Sequence, residues 1–377
     1  MNKVDIGLAK QQSQMELAGR KILIAGPSRE QGGTGQFIRY IHKIWNDSPN
    51  GSSMTALDLR GVGHIMWSPI LLAIASIKIL FLRLLGRADL LHLHITVKGS
   101  VARKWFLTRL AKTLGIPVVL HVHAADFPQF YSAISPALQK QTRWLFQNVD
   151  KCVVLGERFK TYFSENLGVS PEKIEVLYNG VPKKSKVTLS DTPSPFKLLF
   201  IGNLIERKGV PELMEALADP RLADLDWHAT LAGGGDLERY QADAKERGID
   251  HRLTFAGWVD RDTLNDLIQN ADTMVLPSHD EGLPLAILES LAHGIPVLTT
   301  PVGSIPEVLT HEETVLLVPA GSVRELADEL YRLMTDSTLR QKLSTNGHAL
   351  IENRLSLEVV AENVADVYAE CLAASAK

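Results

Sequence analysis

Cysteine is scarce: the 377-residue chain has two, Cys152 and Cys371. Two thiols make neither a disulfide framework nor a metal site, and they suit a reducing cytosol. Cys152 lies in an apolar run and reads as core, not as a reactive thiol. Net charge is low as well, at −3, which argues against general nucleic-acid binding. Long uncharged apolar runs are missing. The most apolar segment, 65–85, is broken by Pro69, Lys78 and Arg83, so it falls short of the roughly 18 uncharged residues of a spanning helix. The N-terminus lacks the charged-then-apolar order of a signal peptide, and residues 1–19 are expected to be polar and flexible. There are no repeats or low-complexity tracts. No Asp-x-Asp pair looks suited to holding a divalent ion between phosphates, so no metal or other cofactor is expected.

What is present describes a sizeable globular protein. The length suggests two domains, and 45% apolar residues allow each a substantial core. Apolar runs alternate with helical periodicity. Strands are expected at 21–25, 54–59, 90–95, 118–122, 151–155 and 174–178, and helices at about 36–46, 69–85, 99–114, 136–147 and 157–166. Nearly continuous apolar strands between helices imply a parallel sheet covered on both faces. Residues 183–195, with Pro193 and Pro195 and with Pro182 just before them, read as a linker. The same alternation resumes at 197–201. The expected organisation is α/β, with Rossmann-like domains at 20–182 and 196–356 and a last helix at 357–373 crossing back to the first.

Charge is uneven. From Arg60 to Ala125 there are nine Lys or Arg and one acid, Asp89. Lys98, Arg103, Lys104, Arg109 and Lys112, interleaved with Trp105 and Phe106, are read as a basic patch for anionic lipid or an acceptor phosphate. An ordinary amphipathic helix with snorkelling cations is the other reading.

Several stretches sit where α/β proteins bind ligands. The turn Gly32-Gly33-Thr34-Gly35 follows the first strand and opens a helix, which favours a phosphate. His121 and His123 end the 118–122 strand. His92 and His94 repeat the pattern on the strand before and are read as structural. After the strand 197–201 comes Gly202-Asn203-Leu204-Ile205-Glu206-Arg207-Lys208-Gly209, in which Arg207 and Lys208 can clamp a diphosphate ahead of a helix. Gly233-Gly234-Gly235 allows close backbone approach, and Asp236 is expected to cap the next helix. Near the end of the chain, Glu281 lies in the turn Asp280-Glu281-Gly282-Leu283-Pro284, and Glu289 in the helix 285–292, eight residues on. Glu281 alone also reads as an acid complementing a helix dipole.

The stretch from Glu281 to Glu289, with Gly282-Leu283-Pro284 and Gly294-Ile295-Pro296-Val297, resembles the nucleotide-sugar site of the family 4 retaining glycosyltransferases, which have the two-domain GT-B fold. The resemblance runs from about Lys21 to the C-terminus. It implies two Rossmann-like domains facing each other across a cleft, the first binding the acceptor and the second the nucleotide sugar. Glu281, Gly282, Leu283 and Pro284 would hold the donor sugar, and Glu289 the ribose hydroxyls. Lys208 matches the family's phosphate lysine. Many members have Arg where this chain has Asn203, so the cation count is kept by Arg207. The loop at Gly33 and Thr34 would face the diphosphate, Gly234 would lie near the nucleotide, and the Phe255-Ala256-Gly257-Trp258-Val259 turn would read the base through Gly257 and Val259. His123 would stand beside the transferred sugar, with Glu281, Lys208 and Arg207 as its catalytic partners. The expected activity is retaining, metal-independent hexosyl transfer, with a UDP-sugar favoured over a GDP-sugar. The acceptor is expected to be a lipid-linked sugar in polysaccharide assembly, in the cytoplasm or on the inner face of the membrane. A sugar-nucleotide epimerase on the same fold, a transferase to a soluble sugar or inositol phosphate, and a non-catalytic sugar-nucleotide-binding subunit remain alternatives.

Overall fold

The computed structural model describes residues 16–27, 33–47, 51–59 and 68–375. The expectation for 1–19 therefore lies mostly outside the described residues, as does Gly32. The chain divides into two compact units, Met1–Gly180 with Leu357–Lys377, and Val181–Ser356.

In the first unit, β1 (Lys21–Gly26), β2 (Ser53–Asp58), β3 (Leu90–Ile95), β4 (Val118–Val122), β5 (Lys151–Val154) and β6 (Ile174–Val176) form one parallel sheet in the order β2-β1-β3-β4-β5-β6. The helices are α1 (Gly33–Asn46), α2 (Ser68–Leu84), α3 (Gly99–Thr113), α4 (Phe127–Ala133), α5 (Pro136–Asn148) and α6 (Glu157–Leu167). Strand alternation sends successive side chains to opposite faces, and this sorts the core into two layers. Leu23, Leu91, Leu93, Leu120 and Val122 meet residues of α2 to α6, among them Ile79, Leu107, Phe146 and Phe163. Ile22, Ile24, Leu90 and Val119 meet α1 and the C-terminal helix Leu357–Ser375, which supplies Val360, Val364 and Tyr368. The C-terminal helix thus completes the first unit's second layer. By the same alternation His92, His94, His121 and His123 point to the layer of α1 and the C-terminal helix.

The second unit holds β7 (Phe196–Ile201), β8 (Trp227–Ala232), β9 (Leu253–Gly257), β10 (Thr273–Leu276), β11 (Val297–Thr299) and β12 (Leu316–Leu317), parallel in the order β12-β11-β10-β7-β8-β9. Its principal helices are α7 (Val210–Leu217), α8 (Leu237–Glu246), α9 (Arg261–Gln269), α10 (Leu285–Ala292), α11 (Val323–Thr335) and α12 (Ser337–Leu350). The order reverses between β7 and β10. At such a point the loops after the two strands diverge to opposite faces, and a crevice opens at their carboxyl ends.

Residues 183–195, expected as a linker, are built into the second unit. Val187 N–H donates to the His293 carbonyl (2.8 Å), and Lys186 Nζ to Thr345 Oγ1 (2.7 Å). Arg340, 1% exposed, donates to the carbonyls of Asp191 (2.7 Å), Ser190 (3.3 Å) and Leu333 (2.7 Å) and lies 5.5 Å from the Phe196 ring. A buried guanidinium is tolerated because carbonyls satisfy it. Replacing Arg340 with Met keeps much of the volume and leaves those carbonyls without their donor. The expected loss is about 2 kcal/mol or more, read as a lower urea midpoint; an unchanged midpoint would show that the strap does not depend on Arg340.

Candidate functional site

The switch point of the second unit gathers most of the expected donor residues. After β7 the chain makes a short turn through Glu206–Lys208, then Gly209 in a left-handed conformation (φ +71°) starts α7. A Cβ on Gly209 would stand 2.0 Å from the Pro277 carbonyl oxygen, so only glycine lets the loop after β7 touch the loop after β10. The two loops are joined at three further points. His279 N–H donates to the Arg207 carbonyl (2.9 Å), Arg207 donates to the Asp280 carbonyl (3.0 Å), and Lys208 Nζ pairs with Glu281 Oε1 (2.5 Å). Glu281 is buried, and Ser278, fully buried, donates its hydroxyl to the same carboxylate oxygen (2.8 Å). A third loop closes behind it. Gly303, at φ +61°, would put a Cβ 1.8 Å from the Glu281 carbonyl oxygen, and Ser304 N–H donates to the Gly282 carbonyl (2.9 Å).

Glu289 lies on α10 and is buried. Its partner is Arg261, at 2.8 Å, from the first turn of α9. Asp260 starts that helix by accepting from the Thr263 N–H (2.8 Å). Arg261 and Ser278 were not singled out in the sequence. Asp260 followed three residues later by Thr263 was a cap signal that placed Arg261 on a helix start. Ser278 carried no signal beyond its place after a strand.

The glycine turns stack at the carboxyl edge of β7, β8 and β9. Gly202 N–H donates to the Ala232 carbonyl (3.0 Å), Leu204 N–H to Gly234 (2.6 Å), and Gly233 N–H to Gly257 (2.7 Å). Asn203 is exposed beside Gly234, and Val259 is half-buried next to the exposed Trp258. Asp236 occupies the cap position of α8 but makes no capping hydrogen bond with its side chain, contrary to expectation. Leu283 is buried and Pro284 immediately precedes α10.

In the first unit His92, His94, His121 and His123 form one imidazole cluster. His94 and His121 are register partners on β3 and β4. His94 Nδ1 lies 2.8 Å from His123 Nε2, His92 Nδ1 lies 2.5 Å from the Tyr368 hydroxyl, and the rings of His121 and His123 stack at 4.3 Å. Phe37, one turn beyond Gly33 and Thr34 on α1, packs against His94, His121 and His123. Burial pushes the imidazoles of His92 and His123 down to about 3, and those of His94 and His121 well below the ordinary 6.5; neighbouring imidazoles add to the effect on His92, His94 and His121, and the Lys104 ammonium adds to it on His94 and His123. All four are therefore neutral near pH 7.

His92, His94 and His121 offer ligand nitrogens within 4.8 Å of one another, a set of the kind that binds zinc. The group contains no carboxylate. Lys104, itself buried, disfavours charge on His94 and His123, and a divalent cation would meet the same repulsion as a proton. Two Asp-x-Asp pairs, 224/226 and 260/262, lie elsewhere. Asp260 is spent as a helix cap, and Asp226 accepts the Ser194 hydroxyl (2.5 Å).

The expected basic patch is not a surface of free cations. Lys104 lies on the buried face of α3 with Ser100, Leu107 and Ala111, bonding Ser100 Oγ at 3.2 Å. That spacing of three and four residues is the reason it turns inward. Lys112 pairs with Asp150 (2.7 Å), Arg103 donates to Ser68 Oγ (2.9 Å), and Arg109 lies over the rings of Trp105 and Trp144 at 5.0 and 5.2 Å. Lys98 is exposed, at φ 58° just before α3.

Residues 183–349 match the family described as "Glycosyl transferases group 1", and residues 57–184 match "Glycosyltransferase Family 4". The fold matches crystalline HepE of Anabaena in complex with UDP and glucose at TM-score 0.74 and 18% identity, over 93% of this chain and 100% of that one. The chain is a glycosyltransferase with the GT-B fold. The glycosyltransferase is 26% identical over 289 residues to a glycogen synthase of Mycobacterium tuberculosis, covering 75% of this chain and 69% of that relative. It is 23% identical over 299 residues to the amylovoran biosynthesis glycosyltransferase AmsK of Erwinia amylovora, over 74% and 70% of the two chains.

Two outcomes follow. Gly303→Ala is expected to cost clearly more stability than Gly257→Ala. Both glycines have positive φ, worth roughly 1–2 kcal/mol of strain to alanine, but only Gly303 also meets a carbonyl, whereas nothing lies within 4 Å of a Cβ on Gly257. Equal melting points for the two variants would contradict the close approach. Below pH 6.5 the unfolded glycosyltransferase takes up protons on four imidazoles that the folded unit excludes. Stability is therefore complete above that pH and declines towards about pH 3, by up to ~1.4 kcal/mol per pH unit for each proton excluded. Urea midpoints measured from pH 7 to pH 5 should fall, and less steeply in His121→Gln; a pH-independent midpoint would contradict the neutral cluster.

Proposed function

We propose that the glycosyltransferase moves a hexose from a nucleoside diphosphate sugar to a hydroxyl of a sugar acceptor, with retention of anomeric configuration. The observation that carries this reading is the pair of half-buried Lys208 with buried Glu281 at the switch point of the second unit. A cation and a carboxylate that partner each other in the free protein offer separate partners to a diphosphate and to sugar hydroxyls. Lys208, with Arg207 beside it, takes phosphate oxygens as Glu281 accepts from the sugar. Glu289, already held by Arg261, accepts from the ribose. Gly257 and Val259 present backbone to the base, and Gly234 leaves room for the nucleotide.

In the reaction the bond from the anomeric carbon to the β-phosphate oxygen breaks, and its electron pair leaves with the diphosphate. The acceptor oxygen bonds to that carbon on the face the diphosphate vacates, and the acceptor proton passes to the departing phosphate. Lys208, Arg207 and main-chain amides stabilise the charge that develops on the leaving group, without a metal ion in this reading. Within the first unit, neutral His123, oriented by His94, is suited to hydrogen-bond a sugar, and Gly33 and Thr34 at a helix start are suited to a phosphate. UDP is the favoured nucleotide, in keeping with the UDP-bound HepE structure. The acceptor in this reading is a lipid-linked sugar on the cytoplasmic side of a membrane, and the likeness to an amylovoran biosynthesis glycosyltransferase supports a part in polysaccharide assembly.

Thermal stabilisation by UDP, GDP and ADP tests the donor. At a hundredfold excess over Kd, one site shifts stability by roughly 2.7 kcal/mol. UDP is expected to raise the melting temperature, and Glu289→Ala or Lys208→Ala to abolish the shift. Absence of any shift with every nucleotide would overturn the donor assignment.

A further inference from the structure

Helix α2, SPILLAIASIKILFLRL, turns its most apolar side outward. Ala75 and Ile79 are its buried contacts with the first unit's core. On the other side Ile70, Ile74, Ile77, Phe81 and Leu84 recur at spacings of four, three, four and three, one row along the helix. Ile77 is 69% exposed, Phe81 59% and Leu84 75%, with Leu80 and Leu85 exposed beside them. A contiguous apolar row of this length, roughly 21 Å at 1.5 Å per residue, exceeds the scattered apolar residues of an ordinary soluble surface.

We infer that this face of α2 is a membrane-docking surface that lies in the headgroup region of an anionic bilayer. Charge supports this occupant. Between Asp58 and Asp89 the sequence has no acidic residue, and Lys78 and Arg87 are exposed along and just beyond the helix. Cations flanking an apolar stripe match anionic headgroups over acyl chains. A second copy of the chain would bring the same acid-free face against itself, with no carboxylate to pair Lys78 or Arg87. Spanning is excluded for this helix: α2 has 17 residues and spends one side on the core, and no helix among the described residues is long and apolar enough to cross a membrane. The contact is therefore an apolar row laid flat, and it differs from the basic surface expected on α3, whose cations are largely engaged within the unit. It deepens the proposed function by giving a lipid-linked acceptor a place to be met, yet it rests on the first unit alone.

Co-sedimentation of the full chain with phosphatidylcholine vesicles, with and without phosphatidylglycerol, tests it. Wild type is expected to sediment with the anionic vesicles and more weakly with neutral ones. The triple variant Ile74→Ser, Ile77→Ser, Phe81→Ser is expected to lose binding by about tenfold or more, and Lys78→Glu to lose it on anionic vesicles alone. Phe81→Trp, which keeps an aromatic anchor, should bind and show a blue-shifted emission. Wild type that stays in solution, or a triple variant that binds equally well, would overturn the inference. So would a wild-type dimer that the triple variant makes monomeric while neither binds vesicles, since the face would then belong to a second copy. UDP stabilisation measured on the same samples separates the two readings. Lost vesicle binding with an intact UDP shift overturns only the docking surface, and the converse overturns only the donor.

Discussion

The close approach of three loops around Glu281 is the constraint on which the second unit's site depends. Glycine at 209 lets the loop after β7 lie against Pro277, and glycine at 303 lets the loop after β11 lie against the Glu281 carbonyl. Between these contacts the Glu281 side chain is buried, and Lys208 and Ser278 satisfy its carboxylate. A partly buried pair of this kind adds little net stability and is costly to break on one side. Its value is geometric. Two opposite charges are fixed at a crevice created by the strand order, within reach of a ligand that carries phosphate and hydroxyl groups together.

The first unit solves a different problem. Four imidazoles on adjacent strands are packed beneath α1 and the C-terminal helix, where burial keeps them neutral. Neutral imidazoles tolerate a low-dielectric setting, and they donate or accept hydrogen bonds without bringing a net charge into the layer. Holding them this way leaves the fold dependent on pH even though none is expected to change charge near neutrality.

Much of this was legible in the residues. Apolar runs such as 90–95 and 197–201 announced buried parallel strands, and Glu281 with Glu289 in a Gly-Leu-Pro context pointed to the crevice at which the proposed function puts the donor. What was not legible is tertiary. Nothing local says that Lys208 and Glu281, 73 residues apart, share a hydrogen bond, or that Arg261 reaches Glu289. The proline-rich segment 183–195 looked like a linker because its anchor, Arg340, lies about 150 residues away. Lys104, expected in a basic surface patch, is buried: Ser100, Lys104, Leu107 and Ala111 follow one another at steps of four, three and four, and that periodicity outweighs the local charge in setting its side of the helix. Helix α2 is apolar on all sides in sequence, so its residues alone do not say which of them meet the core, and only the packing shows which face out.

The central claim is that Lys208 serves phosphate while Glu281 serves the sugar, each releasing the other when the donor binds. Calorimetric binding of UDP, which has no sugar, to wild type, Lys208→Met and Glu281→Gln tests it most directly. The account predicts that Lys208→Met weakens UDP by about tenfold or more, as expected for a lost charged hydrogen bond. Glu281→Gln should bind UDP at least as tightly as wild type, since its loss frees the lysine. An equal loss of UDP affinity in both variants would contradict that division of labour and make the pair a single structural unit.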